Sequence, residues 1–307
     1  MTDRLAAPPA GAHGGDGARL ARVLGIDPAG VLDLSASVNP LAPPIAPVIV
    51  RHLDALSRYP DAAEATSALA ATLGVDEDRV LLTNGGAEAI ALVAGEFGAG
   101  WVEDPDFSLY RRHIASVRPD APRWRSNPHN PTGRLAAPGE QAAVWDEAFY
   151  PLATGLWTSG EADRGAIVLG SLTKTFACPG LRIGFVLGDP SFVSRLAERQ
   201  PRWAVSGLAA AVVPEVLATA DLPAWAAGIV RLRTDLTKIL ADFGRQALES
   251  DANYVLVPGA AGLRARLAQH RVLVRDCTSF GLVDHVRIAV PSEDGLAQLR
   301  AALEVTA

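Results

Sequence analysis

Two side chains in this 307-residue chain carry a primary amine, Lys174 and Lys238; the other 26 of its 28 basic residues are arginine. Chemistry that needs a lysine nucleophile therefore has two candidates. Lys174 stands in Ser171-Leu172-Thr173-Lys174-Thr175, flanked by hydroxyls, and Arg182 follows eight residues later beyond Pro179-Gly180. A lysine that condenses with an aldehyde as a Schiff base needs a partly dry pocket to lower its pKa. Hydroxyls and an arginine beside it suit a phosphate on the same molecule. Lys238 lies in a predicted helix with no motif around it. Three further segments are polar where apolar runs end. Asn84-Gly85-Gly86-Ala87-Glu88 joins a predicted strand to a predicted helix, offering backbone N–H groups and a positive dipole end to an anion. Asp146 follows the apolar run 142–145, and a carboxylate buried there needs a cationic partner. Asn127-Pro128-His129-Asn130-Pro131-Thr132-Gly133 is rich in turn formers.

The elements that must position these groups follow from the apolar pattern. Helices are predicted at 18–24, 62–73, 87–97 and 108–117. Strands are predicted at 79–82, 100–103, 142–145, 166–169 and 181–187, and 32–39 is a short apolar segment that ends at Pro40. Strand, loop and helix in repetition imply an α/β domain with a largely parallel sheet, whose carboxyl ends carry the ligand. The last hundred residues read differently: helices at 222–248, 261–269 and 292–303, and strands at 254–257, 271–275 and 285–290, make a smaller α+β domain. The division expected is an arm at 1–45 joining the small domain, a large domain at 46–205 and the small domain at 206–307.

Composition excludes several classes. A net charge of −6 and no basic run argue against a nucleic-acid partner. The apolar run 204–220 is interrupted by Ser206, Pro214 and Glu215, so no membrane span is expected. The N-terminal residues lack the apolar stretch of a secretion signal. Cys178 and Cys277 cannot make a disulfide framework, which suits a reducing cytoplasm. The six histidines show no metal-ligand spacing, so no metal is expected.

Taken in order, His13-Gly14-Gly15, Leu34-Ser35-Ala36-Ser37-Val38-Asn39-Pro40-Leu41, Tyr59-Pro60-Asp61, the 127–133 segment, Asp146-Glu147-Ala148-Phe149 and the Lys174 segment resemble the fold type I, class I/II aminotransferase superfamily. The resemblance spans residues 13–303 and implies pyridoxal 5'-phosphate (PLP) as cofactor. The motifs look most like those of the threonine-phosphate decarboxylases of cobalamin biosynthesis, which are close to histidinol-phosphate aminotransferases. By this resemblance Lys174 carries PLP, and Asp146 pairs with its pyridine nitrogen, keeping the ring an electron sink. Gly86, Ala87, Ser171, Thr173 and Arg182 would hold its phosphate. Phe107 would stack on the ring and Asn130 would bond its phenolic oxygen. Tyr59 would reach the neighbouring site of a homodimer. Arg287 would grip the substrate carboxylate and Arg275 an anionic tail. His13 and Ser37 lie where the decarboxylases contact substrate phosphate. The expected substrate is a small, phosphorylated amino acid.

The chain also departs from the pattern. The stretches 110–127 and 130–146 are short, so part of the large sheet's edge is expected to be missing or rebuilt. Phe149 stands where many histidinol-phosphate aminotransferases have tyrosine, which favours the decarboxylase reading. In these enzymes the bond perpendicular to the cofactor ring breaks, so one rotation about Cα–N separates decarboxylation from transamination. The alternatives are an aminotransferase for histidinol phosphate or an aromatic amino acid, and a PLP-binding protein that has lost catalysis.

Overall fold

The structure, a computed structural model, describes residues 9–11 and 13–306. Eleven strands form in these residues: β1 (Leu32–Leu34), β2 (Val80–Thr83), β3 (Ala99–Val102), β4 (Ser116–Val117), β5 (Arg123–Ser126), β6 (Val144–Asp146), β7 (Ile167–Gly170), β8 (Gly184–Leu187), β9 (Tyr254–Val257), β10 (Val272–Asp276) and β11 (Val286–Ala289). The helices are α1 (Gly17–Leu24), α2 (Ala46–Arg51), α3 (Ala63–Leu73), α4 (Gly85–Phe97), α5 (Ser108–His113), α6 (Tyr150–Thr154), α7 (Leu172–Thr175), α8 (Pro190–Arg199), α9 (Gly207–Ala218), α10 (Leu222–Asp242), α11 (Leu263–Ala268) and α12 (Glu293–Glu304).

Seven strands make the large sheet, in the order β2-β8-β7-β6-β5-β3-β4. All run parallel except β8, which is antiparallel to both neighbours. Near-continuous apolar runs such as Ile167–Gly170 and Gly184–Leu187 are buried along their whole length, as a sheet covered on both faces requires. One apolar cluster includes Leu69, Val168, Phe185, Val212 and Trp225; another includes Ile90, Val93, Trp124, Val144 and Leu169.

The second sheet has the order β1-β10-β11-β9, with β1 parallel to β10 and the other pairs antiparallel. Its core gathers Val255, Val274, Ile288, Leu299 and Leu236. Helix α12 starts at Ser292, whose hydroxyl caps Gly295 N–H, with Glu293 and Asp294 facing the positive helix end. The α/β class with a larger, mostly parallel sheet and a smaller mixed one is therefore present. Helix α9 packs against α3, and Val205 to Trp225 share the large sheet's apolar cluster, so that core extends beyond residue 205.

The short stretch 110–127 differs from the expected single helix. Helix α5 stops at His113, after three basic residues that suit a helix C-terminus, and Ile114 is extended. The chain then supplies both β4 and β5, so the edge of the sheet is rebuilt with a two-residue strand rather than lost. Strand β5 reads Arg-Trp-Arg-Ser and has no apolar run. Its burial alternates: Trp124 and Ser126 face inward, while Arg123 and Arg125 pair with Glu140. Among the described residues no single helix is long and apolar enough to cross a membrane.

Candidate active site

The strand directions bring the polar motifs to one edge. β2, β3, β5, β6 and β7 all end there, and β8, running the other way, begins there. After β7 the chain turns at Ser171 into the single turn α7, which holds Lys174 half-buried. Burial, with Arg287 and Arg182 nearby, lowers the Lys174 amine from 10.5 to about 8; Asp146 and Asp33 oppose the shift. The Nζ atom lies 5.9 Å from the centre of the Phe149 ring. Asp146 ends β6. Burial raises its carboxyl to about 6, against hydrogen bonds from Tyr110 Oη at 2.7 Å and Ala148 N at 3.0 Å. A carboxylate lifted this far is one whose charge lacks full compensation from the protein.

Beyond β2, α4 opens at Gly85-Gly86-Ala87. Gly85 has φ +73°, and a Cβ on it would lie 2.4 Å from Arg182 Nη2, so the guanidinium sits directly against the helix start. A Cβ on Gly184 would lie 2.8 Å from Gly86 N, so β8 approaches this turn closely as well. A Cβ on Gly86 would meet no atom within 4 Å. Open space, helix N–H groups and an arginine form a cradle fit for a phosphate. Ser171 makes no capping bond within α7. Thr173 differs from expectation: its hydroxyl donates to Ile183 O and accepts from Ile183 N, both at 3.1 Å, so it ties β8 to α7 and has no hydrogen left for a phosphate.

Phe107 precedes α5, with its ring edge-on to Tyr110 at 5.6 Å and to His13 at 5.5 Å. Asn130 is buried in the loop after β5. Its Oδ1 accepts from Arg287 Nη1 at 2.5 Å, leaving the amide hydrogens on the other branch of the side chain. Arg287 is 6% exposed, gives Nη2 to Ser35 O at 3.3 Å and lies 4.7 Å from the Tyr254 ring centre; its Nε has no partner. Arg275 is 4% exposed and is paired with Arg287 in the register of β10 and β11. It donates to Gly11 O at 2.8 Å and Ser279 Oγ at 2.5 Å. Burial first, then Arg287, lowers the Arg275 guanidinium to about 10. Among the described residues the buried Ser37 Oγ and His13 Nδ1 find no hydrogen-bond partner. Burial, Arg275 and Arg112 hold the His13 imidazole below its ordinary pKa.

Thirteen of the fourteen expected site residues thus stand on this edge or on the second-sheet and N-terminal segments beside it. Arg287 of β11 meets Asn130 of the loop after β5, Asn39 N donates to Lys174 O at 3.0 Å, and His13 lies against Phe107. Tyr59 is the exception. It is 79% exposed and stacks at 4.6 Å on Trp203, itself 59% exposed. Lys238 is on the outside of α10, paired with Asp235. Sequence reasoning missed Tyr110, Asp106 and Ser126. Tyr110 follows Phe107 by three residues, a spacing shared by any core tyrosine. A cavity of about 880 Å3 lies elsewhere, beside Trp145, Arg123 and Glu161. Its charged residues are paired with one another, Arg123 with Glu140 and Arg164 with Glu161.

Residues 124–303 match the family described as aminotransferase class I and II. Over 350 aligned positions the chain is 30% identical to the threonine-phosphate decarboxylase of Salmonella typhimurium, covering 95% of each protein. It is 31% identical to the histidinol-phosphate aminotransferase of Halobacterium salinarum, covering 88% of this chain and 89% of that one. The fold superposes on the histidinol-phosphate aminotransferase of Sinorhizobium meliloti, a complex with pyridoxal 5'-phosphate, with TM-score 0.83 at 19% identity, over 100% of this chain and 97% of that one. The chain belongs to the aminotransferase class I and II family of PLP-dependent enzymes.

Proposed function

We propose that this enzyme acts on a phosphorylated amino acid and decarboxylates L-threonine O-3-phosphate or a close analogue. One observation carries the substrate class: two arginines, both more than nine-tenths buried, stand opposite each other across β10 and β11. Two adjacent buried cations suit a ligand with two anionic groups, a carboxylate and a phosphate. Arg287 would take the carboxylate through its unpartnered Nε edge, and Arg275 the phosphate, with His13 and Ser37 supplying nearby polar atoms. Similarity to a threonine-phosphate decarboxylase over 95% of the chain supports this reading.

The site residues fit PLP. Gly86, Ala87, Ser171 and Arg182 would hold its phosphate, and Thr173 would brace the cradle from behind. Asp146 would meet its pyridine nitrogen, Asn130 its phenolic oxygen and Phe107 a ring face. When bound, PLP supplies an aldehyde for the substrate amine and a ring that withdraws electrons from Cα. Lys174, with an amine near pH 8, changes charge close to neutrality and would deliver a proton to Cα after carbon dioxide leaves. Arg287 and Arg275 would set which Cα bond stands perpendicular to the ring by fixing both ends of the substrate. Tyr59 and Trp203 would face a second copy in a homodimer, and the enzyme would work in the cytoplasm.

The test supplies PLP-loaded protein with L-threonine O-3-phosphate and measures carbon dioxide. A second arm supplies histidinol phosphate and 2-oxoglutarate and measures glutamate. Carbon dioxide without glutamate is the expected result; glutamate without carbon dioxide refutes the decarboxylase reading. The aminotransferase reading has its own support in the 31% identity to a histidinol-phosphate aminotransferase. PLP binding with activity on no amino acid would favour the reading of a PLP-binding protein that has lost catalysis.

A further inference from the structure

A second buried carboxylate lies beside the site, and no step proposed so far uses it. Asp106 precedes Phe107 in the loop after β3 and is 6% exposed. Its Oδ1 accepts from Phe107 N at 2.7 Å and from Ser126 Oγ at 2.6 Å; its Oδ2 accepts from Ser126 N at 3.1 Å. The Ser126 hydroxyl, having given its hydrogen to Asp106, accepts from Asn130 N at 2.8 Å. Asn130 in turn receives Arg287. A continuous chain of hydrogen bonds therefore runs from Asp106 to Arg287 of β11.

We propose that Asp106 is a positioning residue for the cofactor site, orienting Asn130 through the Ser126 hydroxyl and placing a second negative charge beside Asp146. The direction of each bond requires this order. An ionised Asp106 only accepts, so it forces the Ser126 hydroxyl to donate toward it and to keep a lone pair for Asn130 N–H. A neutral Asp106 can donate instead, and the Ser126 hydrogen would then compete for the space of Asn130 N–H. The same carboxylate anchors Phe107 N, so one group fixes both the aromatic beside the ring and the asparagine beside its phenolic oxygen. The charged and titratable groups facing Asp106 are Arg125 on β5, Tyr110 on α5, Asp146 on β6, Tyr254 on β9 and His129 in the loop after β5. Arg125 is itself paired with Glu140, so it does not neutralise Asp106 alone. Asp106 pushes the Asp146 carboxyl upward, and burial brings its own to about 6, so it is mostly ionised at neutral pH.

The inference rests on the reading of this site as one that binds PLP. Its test compares Asp106→Asn and Ser126→Ala with the unaltered protein, measuring PLP affinity and the pH midpoint of the visible absorbance of bound PLP. Loss of the Asp106 charge is expected to lower that midpoint by about one unit, since a cationic chromophore loses a nearby anion. Ser126→Ala removes one donor to Asp106 and so raises its carboxyl; compared at pH 9, where that charge is retained, it is expected to weaken PLP binding about three- to tenfold through the lost hold on Asn130. An unchanged midpoint in Asp106→Asn overturns the electrostatic half, because a purely structural role would alter melting and not this titration. Unchanged affinity in Ser126→Ala overturns the positioning half, and it decides the matter alone if Asp106→Asn does not fold. Absence of any PLP band in the unaltered protein overturns the reading of the site itself.

Discussion

Replacing Tyr110 by phenylalanine removes one oxygen atom and, with it, the 2.7 Å hydrogen bond to Asp146 Oδ2. Tyr110 is fully buried, with its ring packed against Phe107 and Trp124, so no water replaces the lost donor at its old position. A hydrogen bond to an ionised group contributes about 1.5–3 kcal/mol. At about 1.4 kcal/mol per unit, a loss in the middle of that range lifts the Asp146 carboxyl by about one and a half units. From about 6 it would rise to about 7.5. The ionised fraction then falls about fourfold at pH 7 and about fifteenfold at pH 6, and is unchanged at pH 9. If PLP binds through its pyridine nitrogen to ionised Asp146, its affinity for Tyr110→Phe should follow these ratios. Fluorescence titration of PLP at the three pH values, mutant against unaltered protein, measures them directly. A ratio that stays constant from pH 6 to pH 9 would refute the reasoning and leave Tyr110 as packing alone.

Other consequences follow from the same geometry. Lys174→Met should stabilise the cofactor-free protein by up to about 3 kcal/mol at neutral pH. The sign follows from a folded pKa of about 8 against 10.5 unfolded: charging Lys174 costs most below pH 8, and the cost fades as pH rises to 10.5. Urea unfolding at pH 7 and above pH 10 reads the difference, and an equal effect at both would contradict it. Gly85→Ala should lose about 1–2 kcal/mol from its left-handed backbone alone, beyond the clash with Arg182, whereas Gly86→Ala should fold normally without cofactor. Equal melting of the two variants would show that Arg182 does not pack as described. Arg287→Lys cannot span Asn130 Oδ1 and Ser35 O while offering a third edge, so KM for the amino acid should rise about tenfold or more with a smaller change in kcat. A KM near the original value would remove Arg287 from the substrate.

The motifs at strand ends were legible because parallel sheets gather those ends on one edge. Lys174, Asp146 and the Gly85-Gly86 turn could be placed from apolar runs and their polar terminators. Strand β5 was illegible, since Arg-Trp-Arg-Ser carries no apolar run and its pairing depends on Glu140 from a distant loop. The expected helix at 108–117 failed for a related reason: Ser116–Val117 pair with β3, and that long-range contact outweighs local preference. The hydroxyl of Thr173 matched the motif by type, but its engagement with Ile183 appears only when β8 is in place. Tyr110, Asp106 and Ser126 occupy three different elements and meet only through the fold, so no spacing along the chain pointed to them.

Reduction of the PLP-loaded protein with borohydride, followed by peptide mapping, reads the attachment site without any assumption about substrate. We expect a single pyridoxyl group on Lys174, the half-buried lysine of α7. Label on Lys238 or on the terminal amine, with Lys174 unmodified, would contradict the site described here.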